Sequence, residues 1–385
     1  MLHRTSVEPY TSSVARRPVV RRGTGPAAAR WGTSGWSRSV RACPTLASMK
    51  TQRVLAFAIG VLLFALLAGT TSVGAYTPPA PRSTATPRPI DLRNTFRRPR
   101  PPGPTLPGAP TCSVFPVTNV WNRRIDDRAV ASNSATMIAA IGLDRGLHMD
   151  FGSYAGYGIP FQVVSSTTPR STVTFDYDDE SDHVGYPIPT NPLIEGGAGA
   201  TGDRHILMVD RDACRLYELF AARKTSGVWH AGSGATWDLA SNALRPAGWT
   251  SADAAGLPIL AGLVRYDEVV AGAIDHALRF TTNHTRKAYI YPARHQAGES
   301  TSTSLPPMGL RVRLKASVDV SGYSPQARVI AEALKRYGMI LADNGSPWYI
   351  SGMSDPQFDD DVLHELDDIT GRDLEVVDTS GLVNG

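Results

Sequence analysis

The stretch AGSGATWDLASNALRPAGWTSADAAGLPILAGLVRYDEVV, residues 231–270, lies at the middle of the part of the chain that we expect to fold. Its repeated glycines allow the backbone to turn sharply or to approach a ligand closely. Acidic and aromatic side chains lie between these glycines, and long ordered loops inside compact domains usually have a function. The stretch therefore predicts a functional site with the fold arranged around it. The alternative is a connection whose Trp237 and Trp249 fill the core.

A secretory signal peptide is predicted at residues 49–75. Lys50 and Arg53 precede an uncharged apolar run over residues 54–68, and small residues end the segment at Ala75. The apolar run is shorter than the roughly 20 residues that a membrane span requires, so cleavage is favoured over an uncut anchor, and no other stretch is long enough to span a membrane. Residues 1–48 are expected to be a disordered leader or an upstream extension from a misplaced start codon.

The composition of the rest of the chain predicts a linker, a folded domain and a short tail. Residues 76–111 are dominated by Pro, Thr and Arg, which favour extended polyproline conformations and build no core. They predict a linker, followed by one folded domain over residues 112–379 and a tail over residues 380–385.

The basic charge of the chain comes from its N-terminal segments. The formal net charge is +4 overall, but residues 1–75 hold ten Lys or Arg against one acidic residue, and residues 76–111 hold six Arg against one Asp. The remaining residues therefore carry a net charge of −10. This balance argues against nucleic acid as a partner and, less strongly, against a polyanionic substrate.

Cysteine usage predicts one disulfide. Cys43 precedes the signal peptide, so export leaves Cys112 and Cys214. Two cysteines in an oxidising compartment most simply pair with each other, with two separate free thiols as the alternative. There is no CxxC or Cys/His zinc pattern in the sequence.

Short apolar runs between turn residues predict antiparallel strands at residues 114–121, 161–164, 172–177, 205–209, 215–220, 257–264, 287–291 and 310–314. Helical periodicity is rarer and predicts helices at residues 134–141, 267–278, 324–338 and 359–369. The predicted fold class is mainly β, a β-sandwich or jelly-roll-like single domain with a few peripheral helices.

The segment TVTFDYDDESD, residues 172–182, predicts a strand with acidic side chains on one face: Asp176, Asp178, Glu180 and Asp182. Neighbouring carboxyl groups can have their pKa values pushed apart, which supplies the acid and the nucleophile or base of glycoside hydrolysis. We expect Glu180 and Asp182 to be this catalytic pair, with Asp253 as an alternate acid. The alternatives are a solvated strand end and a calcium site.

The sequence GDRH leads into an apolar strand and ends at His205. His205 is a candidate general acid or base, Arg204 could hold a hydroxyl or carboxylate, and Asp203 could orient either of them. A turn with an incidental histidine is the alternative. His276 and His295 are spaced unlike any short ligand motif, so we expect no metal or cofactor, with calcium as the possible exception.

Aromatic residues stand beside polar ones on several predicted loops. Sugar rings present apolar faces that stack on such side chains, while their hydroxyls need polar groups at the rim. Trp237 and Trp249 are therefore expected to stack on sugars, and Arg204, Tyr266 and His295 to contact the substrate. A tryptophan is more often part of the core, which is the alternative for each of them.

The run ALRPAGWTSADAAGLPILAGLVRYDEV, with GDRHILMVDRDACRLYEL before it and PPMGLRVRLKA and RYGMILADNG after it, resembles a family of uncharacterised secreted bacterial proteins. The likeness extends over nearly all of the sequence from Cys112 onward. It implies a single intact domain, and it brings no fold, substrate or catalytic residue with it.

Together these patterns predict a secreted, extracellular and monomeric carbohydrate-active enzyme, a glycoside hydrolase acting on a neutral polysaccharide. A polysaccharide lyase is one alternative, with His205 or Tyr266 as base and with Arg204 and His295 neutralising a uronate. A non-catalytic glycan-binding or cell-envelope module is the other. The sequence has no GxSxG, GxGxxG, Walker or HExxH motif to support other enzyme classes.

Overall fold

Strands dominate the computed structural model of the chain, which describes residues 103–383. They form a six-stranded, a four-stranded, a three-stranded and a two-stranded sheet, and the helices are short. This confirms the prediction of a mainly β fold. The predicted leader, signal peptide and most of the predicted linker lie outside the described residues. No helix within residues 103–383 is both long enough and apolar enough to cross a membrane.

In chain order the strands are β1 (Thr105–Leu106), β2 (Ala109–Ser113), β3 (His148–Asp150), β4 (Phe161–Val164), β5 (Val173–Phe175), β6 (Ile206–Asp210), β7 (Arg215–Phe220), β8 (Arg223–Thr225), β9 (Val228–Ala231), β10 (Ser233–Asp238), β11 (Leu278–Thr282), β12 (Arg311–Leu314), β13 (Met339–Asn344), β14 (Tyr349–Ser351) and β15 (Leu374–Val376). The α-helices are α1 (Ser134–Ile141), α2 (Tyr266–Ala271), α3 (Pro325–Arg336) and α4 (Asp360–Leu363). Short 3₁₀ helices cover Val120–Asn122, Asp178–Glu180, Leu260–Gly262, His364–Asp368 and Gly371–Asp373.

The six-stranded sheet has the order β15-β12-β13-β11-β14-β3. Its centre is mixed, because β11 is parallel to β13 and antiparallel to β14, while β14 is parallel to β3. Strands β11 and β13 are almost entirely buried, as is usual for parallel strands that are covered on both faces. A charged side chain on such a strand needs a partner inside the protein, and β11 and β13 carry one each, Arg279 and Asp343.

The four-stranded sheet has the order β10-β7-β6-β4, and every residue of β6 is buried. Cys214 lies in the turn between β6 and β7 and is bonded to Cys112 in β2. The predicted disulfide is therefore confirmed. It joins the first hairpin of the described structure to the four-stranded sheet.

The folded part starts earlier than composition indicated. Strand β1 and most of β2 lie within the stretch that was assigned to the linker. Leu106 and Ala109 are buried there, and the amide of Val114 donates to the carbonyl of Pro104. A few apolar residues between prolines are thus enough to form an edge hairpin, so the boundary at Cys112 is too late.

Two predicted helices have the expected bounds. Helix α1 matches residues 134–141, and α3 begins at Pro325, buries Ile330 and Leu334, and ends before Gly338, whose φ is 63°. The helix predicted over residues 267–278 is shorter. It ends at Gly272, where the left-handed φ of 83° stops it, and the chain then enters β11.

Two of the predicted strands are loops with single 3₁₀ turns, at residues 114–121 and 257–264. Residues 257–264 are buried, but Pro258 has no amide hydrogen, and the amides of Ile259 and Leu260 donate to the Glu218 carboxylate at 3.0 and 2.9 Å. A buried side chain therefore satisfies the backbone where a neighbouring strand was expected. The run 287–291 likewise forms only an isolated bridge, at Tyr289.

Candidate functional site

The segment 250–255 lies inside the stretch 231–270, where the sequence predicts a functional site. It connects side chains from distant parts of the chain. Its successive backbone groups make three such contacts: Thr250 N to Glu180 Oε2 (2.9 Å), Ala252 O to His205 Nε2 (3.0 Å) and Ala254 O to His295 Nδ1 (2.9 Å). The stretch therefore brings together three of the residues that the sequence singled out.

Asp253, at the centre of this segment, forms a buried ion pair with Arg279 of β11. The distances are 2.9 Å from Arg279 Nη2 to Asp253 Oδ1 and 3.2 Å from Nε to Oδ2. Arg279 Nη1 also donates to Ser351 Oγ in β14. Because Asp253 is fully buried and both of its carboxylate oxygens accept from the same guanidinium, it fixes Arg279 and has no access to a substrate.

A β-bulge places Asp343 beside this pair. Strands β11 and β13 pair Phe280 with Leu341 and then Thr281 with Asp343, so Ala342 is the extra residue. Bulges next to active sites commonly redirect a side chain. Here the bulge turns Asp343 to the face of Arg279, with Asp343 Oδ2 3.7 Å from Arg279 Nη2.

Asp343 combines water access with a shifted proton affinity. About a quarter of its side chain is exposed, at 23%. Burial by the surrounding protein and the nearby charges of Asp253 and Asp203 raise the pKa of Asp343 to about 8, against the lowering effect of Arg279. Its carboxyl group therefore retains a proton to higher pH than an ordinary aspartate does, and part of its side chain remains exposed.

His205 is a buried cation in this structure. Its Nδ1 faces Glu195 Oε2 at 2.7 Å and its Nε2 faces the carbonyl of Ala252. Both partners only accept, so both ring nitrogens must donate. In agreement, although burial lowers the pKa of His205, the Glu195 carboxylate outweighs it and the pKa is raised to about 9.

Further polar side chains extend the cluster along the sheet. Ser351 of β14 pairs with Asp150 of β3, and burial raises the pKa of Asp150. On β7, Glu218 is fully buried and its pKa is raised to about 7 by burial, while the amides of Leu260 and Ile259 lower it. Glu218 anchors the chain that follows the segment 250–255.

The acidic residues that were predicted to share a strand face do not do so. Strand β5 ends at Phe175, and Asp178–Glu180 form a 3₁₀ turn. Strand alternation ends there because Asp176 and Tyr177 donate their amides to the carbonyls of Ala231 and Gly232 and the chain then turns.

Glu180 and Asp182 are also not a facing pair. Asp182 Oδ2 accepts from Arg245 Nη1 at 2.8 Å and from the amide of Thr236 at 2.7 Å, while Arg245 Nη2 donates to the carbonyl of Glu180. Asp182 is thus a structural partner of Arg245. Glu180 remains about a quarter exposed, with Oε2 3.8 Å from His295 Nε2.

Trp237 and Trp249 enclose the same arginine. The guanidinium carbon of Arg245 lies 5.8 Å from the Trp237 ring centre and 5.6 Å from that of Trp249, within cation–π range. Trp237 is buried at 6% exposure, so it belongs to the core, whereas Trp249 is half-buried.

Arg204 and Tyr266 have other roles than substrate contact. Arg204 directs Nε to the carbonyl of Ala222 and Nη1 to those of Ala198 and Ala200, which organises the preceding loop. Tyr266 packs edge-on against Phe358 and lines a 410 Å³ groove between α2 and α3 that contains none of the cluster carboxyl groups. A second cavity, of 980 Å³, likewise excludes Asp343 and His295.

The residues that sequence reasoning missed are Glu195, Glu218, Arg279 and Asp343. A signal was present, because Arg279 and Asp343 each interrupt an apolar run, and a lone charge in such a run requires a buried partner. Their pairing depends on strand order and on the bulge, which the pattern does not contain.

Within residues 103–383, no group of three or more His, Cys, Asp or Glu side chains is arranged to hold a metal ion. Calcium binding stays a prediction of the sequence. Comparisons of the chain with known protein families, with curated proteins and with solved structures gave no match.

Proposed function

We propose that the chain is a secreted hydrolase that cleaves glycosidic bonds in a neutral polysaccharide, with Asp343 as the proton donor. The observation that carries this proposal is a solvent-accessible carboxyl group with a pKa raised to about 8. A general acid needs to be protonated at the working pH and to reach the leaving group. The Cys112–Cys214 disulfide supports an oxidising compartment, in keeping with the predicted signal peptide.

Asp203 is the second carboxyl group of the proposed mechanism. It is half-buried, and its charge contributes to the raised pKa of Asp343. In the proposed step, Asp343 gives its proton to the glycosidic oxygen, the bond to the anomeric carbon breaks, and its electron pair goes to that oxygen. The Asp203 carboxylate either takes a proton from the attacking water or attacks the anomeric carbon itself. In the second case water, giving its proton to the Asp343 carboxylate, then displaces Asp203 from the anomeric carbon and restores both side chains.

Arg279 would stabilise the product state of this proton transfer. Once Asp343 has given up its proton, its carboxylate lies 3.7 Å from the Arg279 guanidinium. Asp253 holds that guanidinium in place before the reaction, so little reorganisation is needed when the charge develops. Asp253 is therefore a positioning residue, and the role of alternate acid that the sequence suggested moves to Asp343.

The lyase alternative has less support. A lyase base must be unprotonated and able to reach a sugar proton, but His205 is buried and both of its ring nitrogens donate. Nε and Nη1 of Arg204 already bind backbone carbonyls, which leaves it poorly placed to neutralise a uronate. A non-catalytic glycan-binding module is the second candidate, because Glu180 and His295 contact the segment that follows Trp249 without involving Asp343.

A product assay tests the proposal. The exported protein is incubated with a panel of plant, fungal and bacterial polysaccharides, and reducing ends and unsaturated uronates are both measured, with Asp343→Asn as the matched control. A hydrolase releases reducing ends without unsaturated products. Unsaturated products indicate a lyase, and binding without release indicates the glycan-binding module.

A further inference from the structure

We infer that Trp249, Glu180 and His295 form a pyranose-binding subsite on the surface of the segment 250–255, an inference that rests on the proposed function. Trp249 supplies the platform. Arg245 backs its ring at 5.6 Å and is fixed by Asp182 and by the Thr250 carbonyl, to which its Nε donates at 2.8 Å. A ring held in this way loses little conformational freedom when a sugar stacks on it.

Glu180 and His295 supply the polar rim. The Nδ1 of His295 donates to the Ala254 carbonyl, which fixes the ring with its Nε2 directed toward Glu180. Nε2 lies 3.8 Å from Glu180 Oε2, and the two side chains are 29% and 26% exposed. This gap is wider than a direct hydrogen bond, so a hydroxyl group beside the two side chains can bond to both of them. Sugar hydroxyl groups both donate and accept, and they surround a ring whose apolar face can stack on Trp249.

Glu180 is joined to the backbone beside Trp249. The Glu180 carboxylate accepts the amide hydrogen of Thr250, the residue after Trp249, at 2.9 Å. Residues 246–248, which precede Trp249, are exposed, so the approach to the subsite is open to solvent. The same segment carries Asp253 and thereby joins the subsite to the Arg279 and Asp343 side chains.

Affinity gel electrophoresis with soluble xylan, glucomannan, mixed-linkage β-glucan and dextran tests the subsite. Trp249→Ala is expected to bind the preferred polysaccharide roughly two- to tenfold more weakly than the wild type, the range that aromatic contacts provide. Tyr154→Ala is the matched control, because Tyr154 is an aromatic residue elsewhere with 73% exposure, and it should bind like the wild type.

Two substitutions at His295 distinguish loss of the polar binding group from loss of the folded structure. The amide of His295→Asn can still donate to the Ala254 carbonyl but places no atom at the rim, so its affinity should fall. His295→Gln restores a polar atom near the position of Nε2 and should recover part of it. Because both side chains are partly exposed, these variants and Glu180→Gln remain informative even where Trp249→Ala does not fold.

Equal affinity of Trp249→Ala, His295→Asn and the wild type would overturn the subsite, as would a wild type that binds none of the four polysaccharides. The experiment distinguishes failure of the subsite from failure of the proposed hydrolysis. If the wild type releases reducing ends while Trp249→Ala binds normally, the subsite is wrong and the hydrolase stands. If affinity depends on Trp249 but nothing is cleaved, the subsite stands and the hydrolase is wrong.

Discussion

Asp253 and Arg279 form a two-point ion pair that joins the segment 250–255 to the six-stranded sheet, with N–O distances of 2.9 and 3.2 Å. Their side chains are 0% and 5% exposed. The pair therefore has little contact with solvent, and it sets the position of the guanidinium that faces Asp343.

Removing one partner of this pair should destabilise the protein strongly. Asp253→Asn removes the carboxylate that binds two nitrogens of Arg279 and leaves only Asp343, at 3.7 Å, to balance the buried charge, and breaking such a pair costs about 3–5 kcal/mol. Urea unfolding measures the loss, with the exposed Asp179→Asn as the matched control. The double variant Asp253→Ala with Arg279→Met should recover part of the stability, because it removes both charges. A change below about 0.5 kcal/mol in Asp253→Asn, the range of ordinary surface substitutions, would show that the pair does not hold the segment.

The His205–Glu195 pair should make stability fall as the pH rises. The pKa of His205 is raised to about 9 from 6.5, so its contribution is complete below about pH 6.5 and disappears as the pH passes through about 9. The shift corresponds to a loss on the order of 3 kcal/mol. Unfolding free energies measured across this range should show a steeper decline in the wild type than in His205→Gln.

Asp343 titrates in an overlapping range, so Asp343→Asn serves as the comparison for the His205 prediction. This variant retains His205 and should keep the steeper part of the decline toward pH 9. Identical slopes in the wild type and His205→Gln would contradict the assignment of His205 as a buried cation.

The disulfide should stabilise the fold, and its presence in exported protein tests the prediction of an oxidising compartment. Replacing Cys112 and Cys214 together by Ser opens the closed loop and should cost about 4.7 kcal/mol in the chain-entropy account. Non-reducing peptide mapping of exported protein should find the two cysteines joined and the N-terminus near Tyr76. Two free thiols in that material would refute the linkage.

The sequence predicted local elements well where turn residues bound a run of periodic apolar residues. Strand β7 and helix α1 have the predicted bounds, because each is a periodic run between turn residues. The pattern failed at residues 257–264, since an apolar run does not reveal that its amides will bind the Glu218 carboxylate. Tertiary contacts decide whether such a run becomes a strand or a loop, and the spacing of residues alone does not predict those contacts.

The candidate site was predicted in part for the same reason. Asp253 belongs to the segment 250–255, and Glu180, His205 and His295 contact it, in the region that the density of glycine, acidic and aromatic residues had indicated. Asp343 was missed because its orientation depends on one extra residue in β13. Asp182 was misjudged because its partner Arg245 comes from a loop far along the sequence.

The pH dependence of turnover should follow Asp343. The proton donor must be protonated in the free enzyme, so kcat/KM on the cleaved polysaccharide should decline above pH 8, near the raised pKa of Asp343. A rate that stays constant well above that pH would exclude Asp343 as the donor.

The most direct test of the account is the turnover of Asp343→Asn on a polysaccharide that the wild type cleaves. Asparagine keeps the shape of the side chain but has no proton to give, so kcat should fall by about 10²–10⁴, the usual contribution of a general acid. The melting temperature should stay at or above that of the wild type, because asparagine is neutral and avoids the cost of burying an ionisable carboxyl group, and the exposed Asp361→Asn should change neither quantity. Wild-type turnover in a folded Asp343→Asn variant would contradict the proposed mechanism.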